Sequence, residues 1–272
     1  MPGQSSETQK GPAAGVKGQV FAQESAGMWN VLGGRPHPRR TPFPFISLLA
    51  PERTRMLLLL LLYILSSAAS VGLFLFRVYY AQTTTYRFLN KNLLLAWIPM
   101  VCALLAWRLG YGRRRPSWLV WGLLGLWLLF FPNAPYLITD LMHISPRHRV
   151  PLWFDALLLF SYAWTGLMLG FFSLQLVQLL FQRWYGPMLG WLVALVSIAA
   201  GSFGVYLGRL PRWNSWDVLL APHSLLTDIL AHFHAPLNHL QGLLMSFFFF
   251  VFLTVTYVTV AVLGGIRWQR EG

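Results

Sequence analysis

Six apolar stretches, 56–76, 93–109, 118–132, 156–181, 187–207 and 240–264, constrain this chain more than any other feature. A membrane-crossing helix needs about 20 mostly apolar residues, since each adds about 1.5 Å across a hydrocarbon core of about 30 Å. None of the six contains an acidic residue, and Arg108 lies close enough to its helix end to snorkel. The expected fold is all-α, a polytopic six-helix transmembrane bundle. Only 11% of the 272 residues are charged, against about 25% in soluble domains. The 13 tryptophans suit headgroup interfaces, where an apolar ring meets a polar tip.

Residues 1–50 differ in kind. They are rich in Gly, Pro, Gln and Ser and lack an apolar period. Residues 1–40 read as a disordered basic tail, and 41–50 as a segment able to lie on the membrane surface. The membrane domain is expected over 56–265. No cleaved signal peptide is expected, because the first apolar run is long enough to span.

The net charge of +13 raises nucleic acid as a partner. The basic residues sit beside apolar runs, so the bilayer and anionic lipid are the expected partners and nucleic acid is not. A protein partner or homo-oligomer is not readable. With a cytoplasmic N-terminus, the inner segments hold 14 Lys and Arg and the outer ones seven. Without residues 1–50 the ratio is nine to seven, with Arg113, Arg114 and Arg115 in one short loop. Both termini are therefore expected in the cytoplasm. Cys102 is the single cysteine, so no intramolecular disulfide can form. It reads as a small packing residue.

The polar chemistry gathers in two connections, 133–155 and 208–239. They hold Asp140, Asp155, Asp217 and Asp228, and six of the seven histidines: His143, His148, His223, His232, His234 and His239. On the expected topology both face outside the cytoplasm. The third span has only 15 residues, about 22 Å of helix. Asn133-Ala134-Pro135 is expected to break it, and Tyr136 to Met142 to resume as a half-helix. Irregular backbone at that depth survives only when buried in protein or lining a wet cavity. Asp140 and His143 would then share a face. Residues 223–233 predict a short interfacial helix in the last extracytoplasmic loop. Leu225, Leu226, Ile229, Leu230 and Phe233 form its apolar face, with Ser224, Thr227, Asp228 and His232 opposite.

Two readings of these residues stand side by side. Asp and His serve as ligands for zinc, manganese or iron, and as general acid and base. On that reading Asp140, His143, Asp155 and Asp217 are catalytic candidates. Asp140, His143, Asp228 and His232 are candidate ligands for a divalent metal, the only cofactor suggested. No spacing among them is a metal signature. The structural reading makes Asp155 a helix cap and pairs Asp217 and Asp140 with Arg209 or Arg212. Gly166/Gly170, Gly186/Gly190 and Gly204/Gly208 have the spacing that lets membrane helices approach closely. Pro99 is expected to kink the second span, and Gln175 and Gln178 to hydrogen-bond between helices.

The segments FPNAPYLITDLMH (131–143), PLWFDALLLF (151–160) and SFGVYLGRLPRWNSWDVL (202–219) resemble the signature stretches of a bacterial multi-pass membrane family, domain of unknown function 1361. The resemblance spans roughly 56–265 and implies a bacterial inner-membrane protein without bringing an activity, substrate or cofactor. Its stretches put forward Asn133, Tyr136, Asp140, His143, Asp155, Arg209, Arg212, Asn214 and Asp217. Of these, Asn133, Tyr136, Arg209, Arg212 and Asn214 are the substrate-binding candidates. Asn214 and Ser215, between two tryptophans, have the chemistry to bind a sugar or lipid headgroup.

Three functions remain open. The first is binding or catalysis at the outer face, on an envelope component or small molecule. The second is transport, opposed by the lack of acidic residues within spans and of an internal repeat. The third is a scaffold or assembly subunit, in which the polar loops close into salt bridges without a pocket. No nucleotide-binding loop, G-x-S-x-G elbow or Cys-x-x-Cys occurs, which argues against an ATPase, a common serine hydrolase and a thiol redox enzyme.

Overall fold

The computed structural model describes residues 52–113, 115–146, 150–234 and 240–265. The reading of residues 1–50 as a tail lies outside the described residues. The described residues are almost wholly helical. In order they form α1 (Glu52–Ala81), α2 (Arg87–Gly110), α3 (Trp118–Phe130), α4 (Asn133–Tyr136), a 3-10 helix (Leu137–His143), α5 (Leu152–Tyr185), α6 (Pro187–Arg209), α7 (Asp217–Leu220), α8 (Pro222–His234) and α9 (Leu240–Gly265).

Six helical stretches are long and apolar enough to cross a membrane: Met56–Ala81, Arg87–Gly110, Trp118–His143, Leu152–Tyr185, Pro187–Arg209 and Leu240–Val262. Most outrun the apolar runs that announced them. Arg77, one residue beyond the first apolar run, lies inside α1. Asp140 and Asp155, expected outside the spans, lie within the third and fourth helical stretches. Hydropathy stops at the first charge, whereas the helix continues wherever that charge finds a partner.

The long helix α5 is the axis of the bundle. It packs against α1, α2 and α6, and also against α4 and the 3-10 helix. Its buried residues occur all around its circumference, as expected of a helix enclosed by others. Hydroxyls and amides join it to its neighbours. Thr165 meets Ser66 of α1 at 2.7 Å, and the Trp127 indole donates to Ser173 Oγ at 3.2 Å. The Tyr162 hydroxyl donates to Asn90 Oδ1 at 2.5 Å. Gln178 accepts a short hydrogen bond from Tyr257 of α9, the interhelical role expected of it. Cys102 is buried, and Pro99 sits inside an unbroken α2.

Candidate functional site

The third crossing determines the site. Thirteen residues of α3 rise about 20 Å, too little for a core of about 30 Å. Phe131 and Pro132 keep right-handed helical dihedrals and Asn133-Ala134-Pro135, expected to break the chain, is itself helical, so the helical path continues. Four α-helical residues and a seven-residue 3-10 helix then complete the stretch. A 3-10 run longer than about four residues is uncommon, because its hydrogen-bond geometry is poorer. Packing holds this one.

A methyl group added at Gly166 would lie 2.6 Å from Leu137 Cδ1 and 2.8 Å from the Ala134 carbonyl oxygen. One at Gly204 would lie 2.6 Å from Pro132, and one at Gly208 3.2 Å from Tyr136. The third span is thus wedged between glycines of α5 and α6, and only residues without a β-carbon admit it.

In a 3-10 helix residues three apart eclipse, so Leu137, Asp140 and His143 share one edge. Asp140 is 1% exposed. Its Oδ2 accepts from Asn92 Nδ2 at 2.9 Å, and Arg209 Nη1 of α6 lies 3.7 Å from Oδ1. The ion pair joins the two polar connections, as the structural reading expected for Asp140. His143 Nδ1 lies 3.2 Å from the Asp140 carbonyl oxygen, and its ring packs on Phe88 at 4.9 Å.

A second charged centre lies beside the first. Arg77 and Asp155 are each 1% exposed and form a two-pronged pair, Nε to Oδ1 at 2.6 Å and Nη2 to Oδ2 at 3.1 Å. Arg77 Nη1 also donates to Thr83 Oγ1 at 3.3 Å, and its guanidinium lies 4.5 Å over the Tyr86 ring. The Tyr86 hydroxyl reaches Asp155 Oδ2 at 3.3 Å and the His143 carbonyl oxygen at 3.4 Å. Tyr86 therefore connects the two centres. The expected helix-capping role of Asp155 is wrong. The N-cap of α5 is Pro151, and Asp155 points into the bundle because a buried guanidinium needs a carboxylate.

Arg77, Tyr86 and Asn92 were not singled out in the sequence. For Arg77 a signal existed: an arginine set between Phe76 and Val78 within an aromatic run, where no free cation would be stable.

Between the connections lies a cavity of about 280 Å³. Asn133, Tyr136 and Asn214 line it, as three of the substrate-binding candidates should. Asn133 Nδ2 spans the two connections by donating to Ser215 Oγ at 2.9 Å. Arg209 is turned to Asp140 instead. Arg212 is exposed, makes no ion pair among the described residues and holds a left-handed φ of 65°. Asp217 pairs with neither arginine. Its Oδ2 accepts from the Asn214 backbone N–H at 2.6 Å and from Asn214 Nδ2 at 3.2 Å, which a local turn supplies more readily than a distant guanidinium.

The helix α8 closes the cavity from one side with Leu225 and Ile229. The Trp213 indole holds it there by donating to Asp228 Oδ2 at 2.9 Å. The side chains of His148, His232, His234 and His239 lie outside what is described, so the Asp228–His232 approach does too.

Of the four metal candidates, His232 lies outside the described side chains. Among the described residues no three of His, Cys, Asp and Glu come together as a metal-binding group. Asp140 and Asp155 each already face an arginine.

Six apolar crossings around a buried polar end define a multi-pass integral membrane protein. Residues 91–256, more than half of the chain, match the family described as protein of unknown function (DUF1361). The chain belongs to that family. No curated protein and no solved structure matches it.

Proposed function

We propose that this is a bacterial inner-membrane protein with both termini cytoplasmic, and that its polar end binds an envelope component or small molecule from the extracytoplasmic side. The cavity of about 280 Å³ between the two polar connections carries this reading. Binding pockets typically begin near about 300 Å³, apolar in the main with a few convergent polar groups. Here leucines form the wall, and Lys91, Tyr136 and Ser215 supply donors. A scaffold in which the loops close on each other would leave no such space.

The engagement of Arg77 and Arg209 in ion pairs also favours the orientation. Those two cations serve the fold, and leaving them out makes the Lys and Arg count beyond residue 50 nine inside against five outside. Transport gains little from Asp140 and Asp155. Both lie toward one end of the bundle and both are committed to arginines.

The test uses Ser215→Cys in a Cys102→Ala background, treated with a membrane-impermeant maleimide. The thiol should react in intact spheroplasts, and a fraction of envelope extract should slow the reaction. The cavity-filling Val218→Trp should abolish that protection. Reaction confined to inverted vesicles, or protection that survives Val218→Trp, would reject the proposal.

A further inference from the structure

The composition of the cavity wall narrows the ligand class, and this step rests on the cavity being the binding site. Lys91 is the single charged residue that lines it. Its ammonium lies 5.0 Å over the Trp216 ring and makes no ion pair among the described residues. The buried carboxylate Asp140 is engaged by Asn92, the residue after Lys91, and by Arg209. Tyr136 adds a hydroxyl with no hydrogen bond among the described residues. Ser215 accepts from Asn133 and keeps its own proton to donate. Three donors, one of them cationic, with no lining carboxylate, suit an anion of phosphate type.

The remaining wall is apolar and lies deeper. Leu95 is one helical turn beyond Lys91 on α2, about 6 Å further into the bundle. Leu128 and Leu129 face it from α3, and Leu207 from α6. Leu128 lines the cavity and is also 42% exposed, so the apolar wall continues onto the lipid-facing flank of α3. A soluble anion has no use for a leucine wall one turn below its charge, and a neutral sugar has none for an uncompensated lysine. An acidic phospholipid uses both, its headgroup at Lys91 and the start of its acyl chains along the leucines.

We infer that the cavity is a lateral binding site for an anionic phospholipid entering from the lipid-facing flank of α3. The test reconstitutes the full chain with phosphatidylglycerol carrying a photoreactive diazirine in one acyl chain. Phosphatidylcholine with the same chain is the control. Phosphatidylglycerol should label the segments around Leu95 and Leu128 about fivefold more than phosphatidylcholine, the worth of one lysine against an anionic headgroup. Lys91→Gln should remove the preference and Lys91→Arg should keep it.

Equal labelling by the two lipids, or a preference unchanged in Lys91→Gln, would overturn the inference. Soluble glycerol phosphate separates the levels. If it shields Ser215→Cys from maleimide while phosphatidylglycerol fails to label the leucines, the cavity reading stands and the lipid is wrong. If neither probe shields Ser215→Cys and Val218→Trp changes no labelling, both readings fall. Lys91 is exposed at the start of α2, so its variants remain folded, and retained labelling in Lys91→Arg checks this directly.

Discussion

Asp155→Asn changes one atom type and little volume, yet it should be among the most damaging substitutions in the chain. Arg77 would keep its charge at 1% exposure and lose its carboxylate. Removing one partner of a buried ion pair costs about 3–5 kcal/mol, because the remaining charge stays desolvated. The upper half of that range applies here. Asp155 accepts both prongs of the guanidinium and lies within reach of the Tyr86 hydroxyl, so several polar contacts weaken together. The ratio of folded to unfolded protein should fall by roughly three to almost four orders of magnitude.

Reversible unfolding in mixed micelles of rising dodecyl sulfate content, followed by tryptophan fluorescence, measures this for Asp155→Asn, Arg77→Met and the double variant Arg77→Met/Asp155→Leu. The double variant buries no unpaired charge and should recover most of the loss, since apolar replacement of a buried pair is often neutral or stabilising. Single-variant losses below about 1 kcal/mol, the worth of an exposed pair, would refute the reasoning. So would a double variant as unstable as the sum of the singles.

Other consequences follow from the same packing. Gly166→Ala should cost about 1–3 kcal/mol in that assay, since its methyl would meet Leu137 and the Ala134 carbonyl at under 3 Å. Gly125→Ala, with nothing within 4 Å, should gain about 0.5–1 kcal/mol as an ordinary helix position. Asn92→Ala should cost about 1.5–3 kcal/mol by removing the hydrogen bond to buried Asp140. Trp213→Phe should speed amide hydrogen exchange across 222–234 while leaving α5 unchanged, because only the Trp213–Asp228 tie of α8 is lost.

Much of the fold was legible because lipid leaves a strong signature in composition. The six spans and the helix after residue 222 followed from apolar length and period; the break expected at Asn133-Ala134-Pro135 did not, because those residues are themselves helical and the stretch runs on to His143 as a 3-10 helix. The glycine spacings were visible too, although their purpose was not. Gly166 and Gly204 admit the third span from two sides, a relation between three helices that no linear spacing encodes.

Charge was where the reading failed. Arg77 looked like a loop cation and Asp155 like a cap, because a sequence shows a charge but not the partner 78 residues away that makes its burial tolerable. Asp140 was legible as a candidate for pairing with Arg209, since both lay in connections already suspected of meeting. The uncharged donors to these carboxylates, Tyr86 and Asn92, passed unnoticed because each is an ordinary residue near the start of α2, and only the tertiary arrangement gives it a task.

The account depends on α4, within the third span, meeting the turn after α6. The Asn133 amide and the Ser215 hydroxyl, 2.9 Å apart, mark that meeting point. Cysteines at both positions, in a chain lacking Cys102, should form a disulfide under mild oxidation in native membranes, read as protection of both thiols from maleimide until reductant is added. Two thiols that stay independently reactive after oxidation would contradict it.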